Sequence, residues 1–90
     1  MGVEWDPEKA ISNLRKHGVR FSDAEAALFD PDSLSREDED AESKQRFVSI
    51  GRDAIGRVVV VVYTYRGENV RVISVRKATR KERRLYEEGI

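Results

Sequence analysis

Arg66, Arg71, Arg76 and Lys77 lie close together near the C-terminus, with Thr64 and Ser74 interleaved and Arg80, Glu82 and Tyr86 following at once. Guanidinium groups bind phosphate oxygens through paired hydrogen bonds and keep their charge at any working pH, so several of them on one sheet end would hold a polyanion backbone. Glu82 and Tyr86 are one helical turn apart, which would let a carboxylate and a phenol share a cleft as proton acceptor and donor. His17 is the sole histidine, and its ordinary pKa near neutrality makes it a further general acid or base. Each residue also has a plain structural role. The arginines can solvate strand ends, and Glu82 sits where a capping-box acid after Thr79 belongs. Tyr86 can be a core or rim aromatic, and His17 just before Gly18 suits the negative end of a helix.

A formal net charge of zero conceals this clustering. Residues 1–50 carry 7 Lys/Arg against 12 Asp/Glu, and residues 51–90 carry 10 against 5, so an acidic half is joined to a basic one. That asymmetry points to polyanion binding by the C-terminal end. Ninety residues make one small domain, expected to bury only about 60 to 65% of its unfolded surface. Without cysteine there is neither a disulfide framework nor a thiolate zinc site, and a reducing cytoplasm fits best. The longest apolar run, Val58 to Tyr63, is far below the roughly 20 residues that cross a bilayer, and nothing near the N-terminus reads as a secretion signal. The acidic stretch from Glu37 to Glu42 lacks EF-hand spacing and a histidine, and reads as a solvated loop with an edge strand beginning near Ser33. No glycine-rich nucleotide loop is present, and no metal or cofactor is expected.

The elements that must position these side chains follow from local chemistry. A short strand is expected over 3–5, then a helix over 7–16 capped by Asp6-Pro7 and ended by Gly18, with Ala10, Ile11 and Leu14 as its apolar face. Ser22-Asp23-Ala24-Glu25 reads as a capping box opening a second helix to about position 29. Three strands over 47–52, 57–66 and 70–76 form an antiparallel meander, and Thr79 to Glu82 is a second capping box that opens a last helix over 80–87. The middle strand is apolar on both faces and therefore central. The turn after it leaves two registers open. A three-residue turn pairs Thr64 with Val72 and brings Ser74 and Arg76 to the face of Thr64 and Arg66, whereas a two-residue turn brings Arg71 and Ile73 there instead.

Read in order, several groups of residues resemble one known family. They are Glu4-Trp5-Asp6-Pro7 with Lys9-Ala10, Asn13 with Lys16-His17-Gly18-Val19 and Phe21, and Asp30-Pro31. Arg46 with Ile50-Gly51, Gly56-Arg57, Val62-Tyr63-Thr64 with Arg66, Arg71 with Ile73-Ser74, Arg76-Lys77-Ala78 and Glu82-Arg83 with Tyr86 continue the pattern. This ordered set is similar to the BrnT toxins over nearly the whole chain. The resemblance implies an α+β, RelE-like fold with an antiparallel sheet of three to four strands, two N-terminal helices and one C-terminal helix. It also implies a metal-independent endoribonuclease that shuts down translation, neutralised by a BrnA-like ribbon-helix-helix antitoxin, with operator DNA contacted only through the complex, which represses its own operon. The roles it suggests are Arg66 and Arg76 on the phosphate together with Arg71 and Lys77, Glu82 as base or orienting group, Tyr86 or His17 as proton donor, and Ser74 and Thr64 as positioning groups; Arg80 joins the RNA-binding set. The alternative is a noncatalytic module that binds RNA or an antitoxin through the same basic face.

Overall fold

The computed structural model describes residues 2–39 and 45–89. Along the chain they form β1 (Val3–Glu4), α1 (Pro7–His17), α2 (Phe21–Leu28), β2 (Leu34–Glu37), β3 (Phe47–Arg52), β4 (Val58–Arg66), β5 (Asn69–Lys77) and α3 (Arg80–Glu88). The sheet has five strands in the order β1-β5-β4-β3-β2 and is mixed, because β1 runs parallel to β5 while the other pairs are antiparallel. The sheet thus has five strands where an antiparallel sheet of three to four was expected, because the short N-terminal strand and the strand that follows Ser33 both join the meander, the first of them in parallel. Val3 pairs with Val70 at one edge, and Leu34 to Glu37 pair with Ile50 to Phe47 at the other. Glu37 is therefore strand, not loop; of the acidic stretch, Asp40 to Glu42 lie outside the described residues.

Helices α1 and α2 cover one face of the sheet. The core there joins Val19, Phe21, Ala24 and Ala27 to Val59, Val61, Tyr63, Val70, Val72 and Val75. The α1 caps are those its residue types dictate: the Asp6 carboxylate accepts from the Glu8 amide, and Gly18 takes the left-handed conformation at φ 71°. Two expectations about the helices fail. The cap of α2 is Arg20, whose side chain makes no capping bond, so the Ser22 box lies inside the helix. Ile11 and Leu14 remain exposed, and the buried residue of α1 is Asn13. A polar side chain is tolerable there only because every hydrogen-bonding group on it is used. Its amide donates to the carbonyls of Val19 at 3.1 Å and Val75 at 2.9 Å, and its carbonyl accepts from the Val75 amide at 3.1 Å. Beyond Arg71, β5 pairs with no residue of β1, and the Asn13 side chain takes the place of a neighbouring strand.

The β4–β5 hairpin resolves the open register in a way neither turn alone would. Arg66 pairs with Asn69, Tyr65 with Val70 and Thr64 with Arg71, so the loop is the two residues Gly67-Glu68, with Gly67 at φ 60°. The ladder then shifts: Tyr63 pairs with Val72, but Val62 pairs with Ser74, leaving Ile73 as the extra residue of a β-bulge. An extra residue reverses the alternation. Val72 and Val75 therefore both face the core, and Arg71, Ser74 and Arg76 all share the opposite, outer face with Thr64 and Arg66.

Substituting Asn13→Leu leaves the Val75 amide and two carbonyls without partners. The expected loss is about 2–4 kcal/mol, read as a lowered urea midpoint; a change below roughly 0.5 kcal/mol would contradict the strand-substitute role. Gly51→Ala is expected to cost about 1–3 kcal/mol, because a Cβ there would lie 2.4 Å from the Ala27 carbonyl oxygen where α2 meets β3.

Candidate nucleic-acid interface

The outer face is open along β4 and β5 and is crossed at one end by α3. Thr79 caps this helix in a complete capping box: its hydroxyl accepts from the Glu82 amide at 3.2 Å, and Glu82 Oε1 accepts from the Thr79 amide at 2.9 Å. The same carboxylate closes on Arg76 in a two-pronged ion pair, Nη1 to Oε1 at 2.7 Å and Nη2 to Oε2 at 2.9 Å. Glu82 thus joins the cap reading and the site reading in one side chain. Its hydrogen bonds from Arg76 hold its pKa down to about 2, against the opposing effect of burial, which makes it a weak base at neutral pH. The pair raises the pKa of Arg76 in turn.

Arg66 is exposed at the far end of the same face. Arg66 lies six positions along β4 from Val60, the partner of Arg76, which separates the two arginines by ~20 Å of strand. They cannot both grip one phosphate, as the sequence reading supposed. Arg71 lies between them beside Thr64, 3.8 Å from the Glu4 carboxylate, and Ser74 continues the line. The Thr64 hydroxyl donates to the Gln45 carbonyl at 2.7 Å and ties β4 to the chain entering β3. In the row through Ser74 and Val62, pairing continues to Val48 and Arg36, so Arg36 also belongs to this face. Between α3 and the outer edge runs a groove of about 450 Å³, lined by Leu34, Val48, Ile50 and Leu85 with Arg36 and Glu82 beside them.

Four residues read from the sequence fall elsewhere. Lys77 alternates to the opposite face and lines a separate hollow with Arg52, Arg57 and Arg83. Arg80 is exposed on the first turn of α3. His17 ends α1, on the helix-covered side of the sheet, away from the Arg76–Glu82 pair. Tyr86 is buried, and its hydroxyl donates to Asp30 Oδ2 at 2.5 Å, while the Arg52 guanidinium lies over its ring, 5.5 Å from the centroid. The bond to Asp30, with burial, raises the Tyr86 pKa. Burial pushes the Asp30 carboxyl up, but hydrogen bonds from Tyr86 and from the Arg52 and Asp32 amides outweigh it and leave the pKa lowered. Tyr86 therefore anchors α3 to the Asp30 turn. Sequence reasoning missed Asn13, Asp30, Arg36 and Arg52. Asn13, Asp30 and Asp30's neighbour Pro31 stood in the family pattern with no role attached, and Arg36 directly precedes the acidic stretch that was read as a solvated loop. Among the described residues, no group of three or more His, Cys, Asp or Glu side chains is placed to hold a metal ion.

The depressed pKa of Glu82 carries a sign. Its stabilising contribution is present above the ordinary carboxyl value near 4.5 and is lost as pH falls toward about 2. In Glu82→Gln that segment of the stability–pH curve is expected to flatten, with neutral-pH stability lowered; an unchanged acid limb in urea titrations would contradict the pairing.

The sequence pattern of the family described as "Ribonuclease toxin, BrnT, of type II toxin-antitoxin system" matches residues 5–82. Among curated proteins none matches. The crystal structure of the Brucella abortus ribonuclease toxin BrnT superposes with a TM-score of 0.66 at 28% identity, covering 89% of this chain and 99% of that one. No helix among the described residues is long and apolar enough to cross a membrane. The family match spans most of the sequence, and the chain belongs to the BrnT family of ribonuclease toxins of type II toxin–antitoxin systems.

Proposed function

We propose that the chain is a metal-independent endoribonuclease that cuts RNA laid along the outer sheet face and so inhibits translation in the cytoplasm. The observation that carries this reading is the shared face of Thr64, Arg66, Arg71, Ser74 and Arg76, produced by the two-residue turn and the bulge. Ribonuclease toxin membership supports the activity in general terms, and a type II toxin implies a protein antitoxin. RelE-like kinship, a BrnA-like ribbon-helix-helix antitoxin and repression of the operon by the complex belong to the same proposal. Arg66 and Arg71 anchor successive phosphates at the hairpin end. Arg76, oriented by Glu82, stabilises charge on the five-coordinate phosphorus, with Ser74 and Thr64 positioning the strand. Glu82 acts as an orienting group, since a carboxylate with a pKa near 2 is a poor acceptor for a 2′-hydroxyl proton. Tyr86 and His17 act in support of the fold, and proton transfer falls to solvent. Cleavage is then slow and rests on positioning and charge stabilisation.

That mechanism predicts a rate that rises steadily with pH instead of a bell, measured on purified protein with end-labelled RNA in the presence of a chelator. Arg76→Ala is expected to reduce the rate by 10²-fold or more when assayed well below its melting temperature, which the lost pair with Glu82 lowers, and Arg66→Ala to weaken binding chiefly, with a lower salt slope. Persistence of cleavage in Arg76→Ala would remove it from the site, and loss on chelation would overturn the metal-free mechanism. The closed Arg76–Glu82 pair also favours a second reading, a noncatalytic RNA-binding or antitoxin-binding module. Tight RNA binding without any single-turnover cleavage would establish it.

A further inference from the structure

Beyond the arginines, the hairpin end carries an aromatic cluster that the cleavage scheme does not use. Phe47 and Tyr63 stack across β3 and β4 with ring centroids 5.7 Å apart. Tyr65 packs edge-on against both, at 5.3 Å from Phe47 and 5.9 Å from Tyr63. Tyr63 is 7% exposed and Tyr65 52%, so a ring held on two sides still presents half of itself to solvent. Exposing a tyrosine at the end of a strand discards apolar burial that Phe47 and Tyr63 obtain, although scattered surface aromatics occur without a function. The surroundings add the second observation. Beyond Phe47, β3 no longer flanks β4, and a notch of about 220 Å³ opens there, lined by Gln45, Phe47, Thr64 and Tyr65. The notch therefore joins the end of the phosphate-binding face, through Thr64, to the open ring. Arg66 follows Tyr65 directly, Arg46 precedes Phe47, and both are exposed and without an ion pair among the described residues. By alternation Tyr65 lies on the helix-covered face with Tyr63 and Val70, while Arg66 and Arg46 lie on the outer face, so ring and guanidinium groups meet only around the open edge of β4 at the notch. A held, half-open ring with cations round the edge from it suits single-stranded nucleic acid, where the base stacks and the flanking phosphates are neutralised.

We infer that Tyr65 is a stacking platform for an unpaired nucleobase of the RNA, placed in the Gln45–Phe47–Thr64–Tyr65 notch, so that the protein selects single-stranded over duplex substrate. This rests on the proposed RNA surface and specifies which form of RNA it takes. A strand that turns round the open edge of β4 puts a base against Tyr65 from the helix-covered side, and its backbone continues on the outer face past Thr64 and Arg71 toward Arg76. A duplex cannot comply, because its bases are already stacked on one another.

The test is fluorescence-anisotropy binding of the intact chain to a dye-labelled single-stranded oligonucleotide and to the same sequence as a hairpin duplex, over a range of salt. Tyr65→Phe is expected to bind like the wild type, and Tyr65→Leu, which keeps apolar bulk against Phe47, to lose about 5- to 100-fold on the single strand. The salt slope should be the same in both variants, because no phosphate contact is removed, whereas Arg66→Ala should lower it. Melting curves of the variants separate loss of stacking from loss of fold. Wild-type binding with an unchanged affinity in Tyr65→Leu, or equal binding of strand and duplex, would overturn the platform while leaving the RNA surface intact. Absence of salt-sensitive RNA binding by the wild type would overturn both.

Discussion

The buried carboxamide of Asn13 is the interaction on which the remaining architecture depends. It satisfies both backbone groups of Val75 on the edge of β5 that no strand covers, and it ties them to the Val19 carbonyl at the start of the segment leading into α2. Helix α1, the edge of the sheet and the entry to α2 therefore meet at one side chain. Val75 follows the bulge at Ile73 by two residues, so the same clamp fixes the stretch of β5 in which the alternation is reversed. Without that reversal, Arg76 and Ser74 would point into the helix-covered face, and the row of cations would be broken in the middle.

The cationic row is extended, and this shapes its chemistry. About 20 Å of strand separates Arg66 from Arg76, which suits a backbone crossing the sheet and does not suit a single phosphate held by both. Glu82 imposes a second constraint. One carboxylate closes the α3 capping box and holds the Arg76 fork, so the start of the helix and the orientation of the arginine are set together. At the other end of α3, Tyr86, Asp30 and Arg52 pin the helix to the turn before β2. The helix is thus fixed at both ends, and the Glu82 carboxylate it presents beside the groove is already paired with the Arg76 guanidinium of β5 and is not a free acid.

How much of this was legible follows the range of the interactions involved. The caps of α1 and α3 are local chemistry, and Asp6, Gly18, Thr79 and Glu82 all act as their neighbours in sequence dictate. The central position of β4 was equally legible from its apolar faces. What failed depends on partners far away in sequence. Ser22 is a sound capping residue, yet α2 begins one residue before it because Phe21 must enter the core. Ile11 and Leu14 have the spacing of a buried stripe, yet the sheet edge above α1 requires a hydrogen-bonding side chain, and Asn13 faces it. The register of the hairpin was narrowed to two options and matched neither alone, since a bulge leaves no mark in the residue types around it. The arginines of the site were therefore visible as a set, while their spacing and the company of Arg36 were not.

The parity of β5 is the central claim, and the absence of cysteine allows it to be read by disulfide capture. The pairs Thr64→Cys with Arg71→Cys and Val60→Cys with Arg76→Cys lie opposite each other across the β4–β5 ladder, the first before the bulge and the second after it. Under mild oxidation of folded protein, both double variants are predicted to close an intramolecular disulfide, and Val60→Cys with Val75→Cys to remain reduced. Closure of the Val60–Val75 pair in preference to Val60–Arg76 would mean that the hairpin continues without a bulge, which would contradict the shared face and the RNA surface built on it.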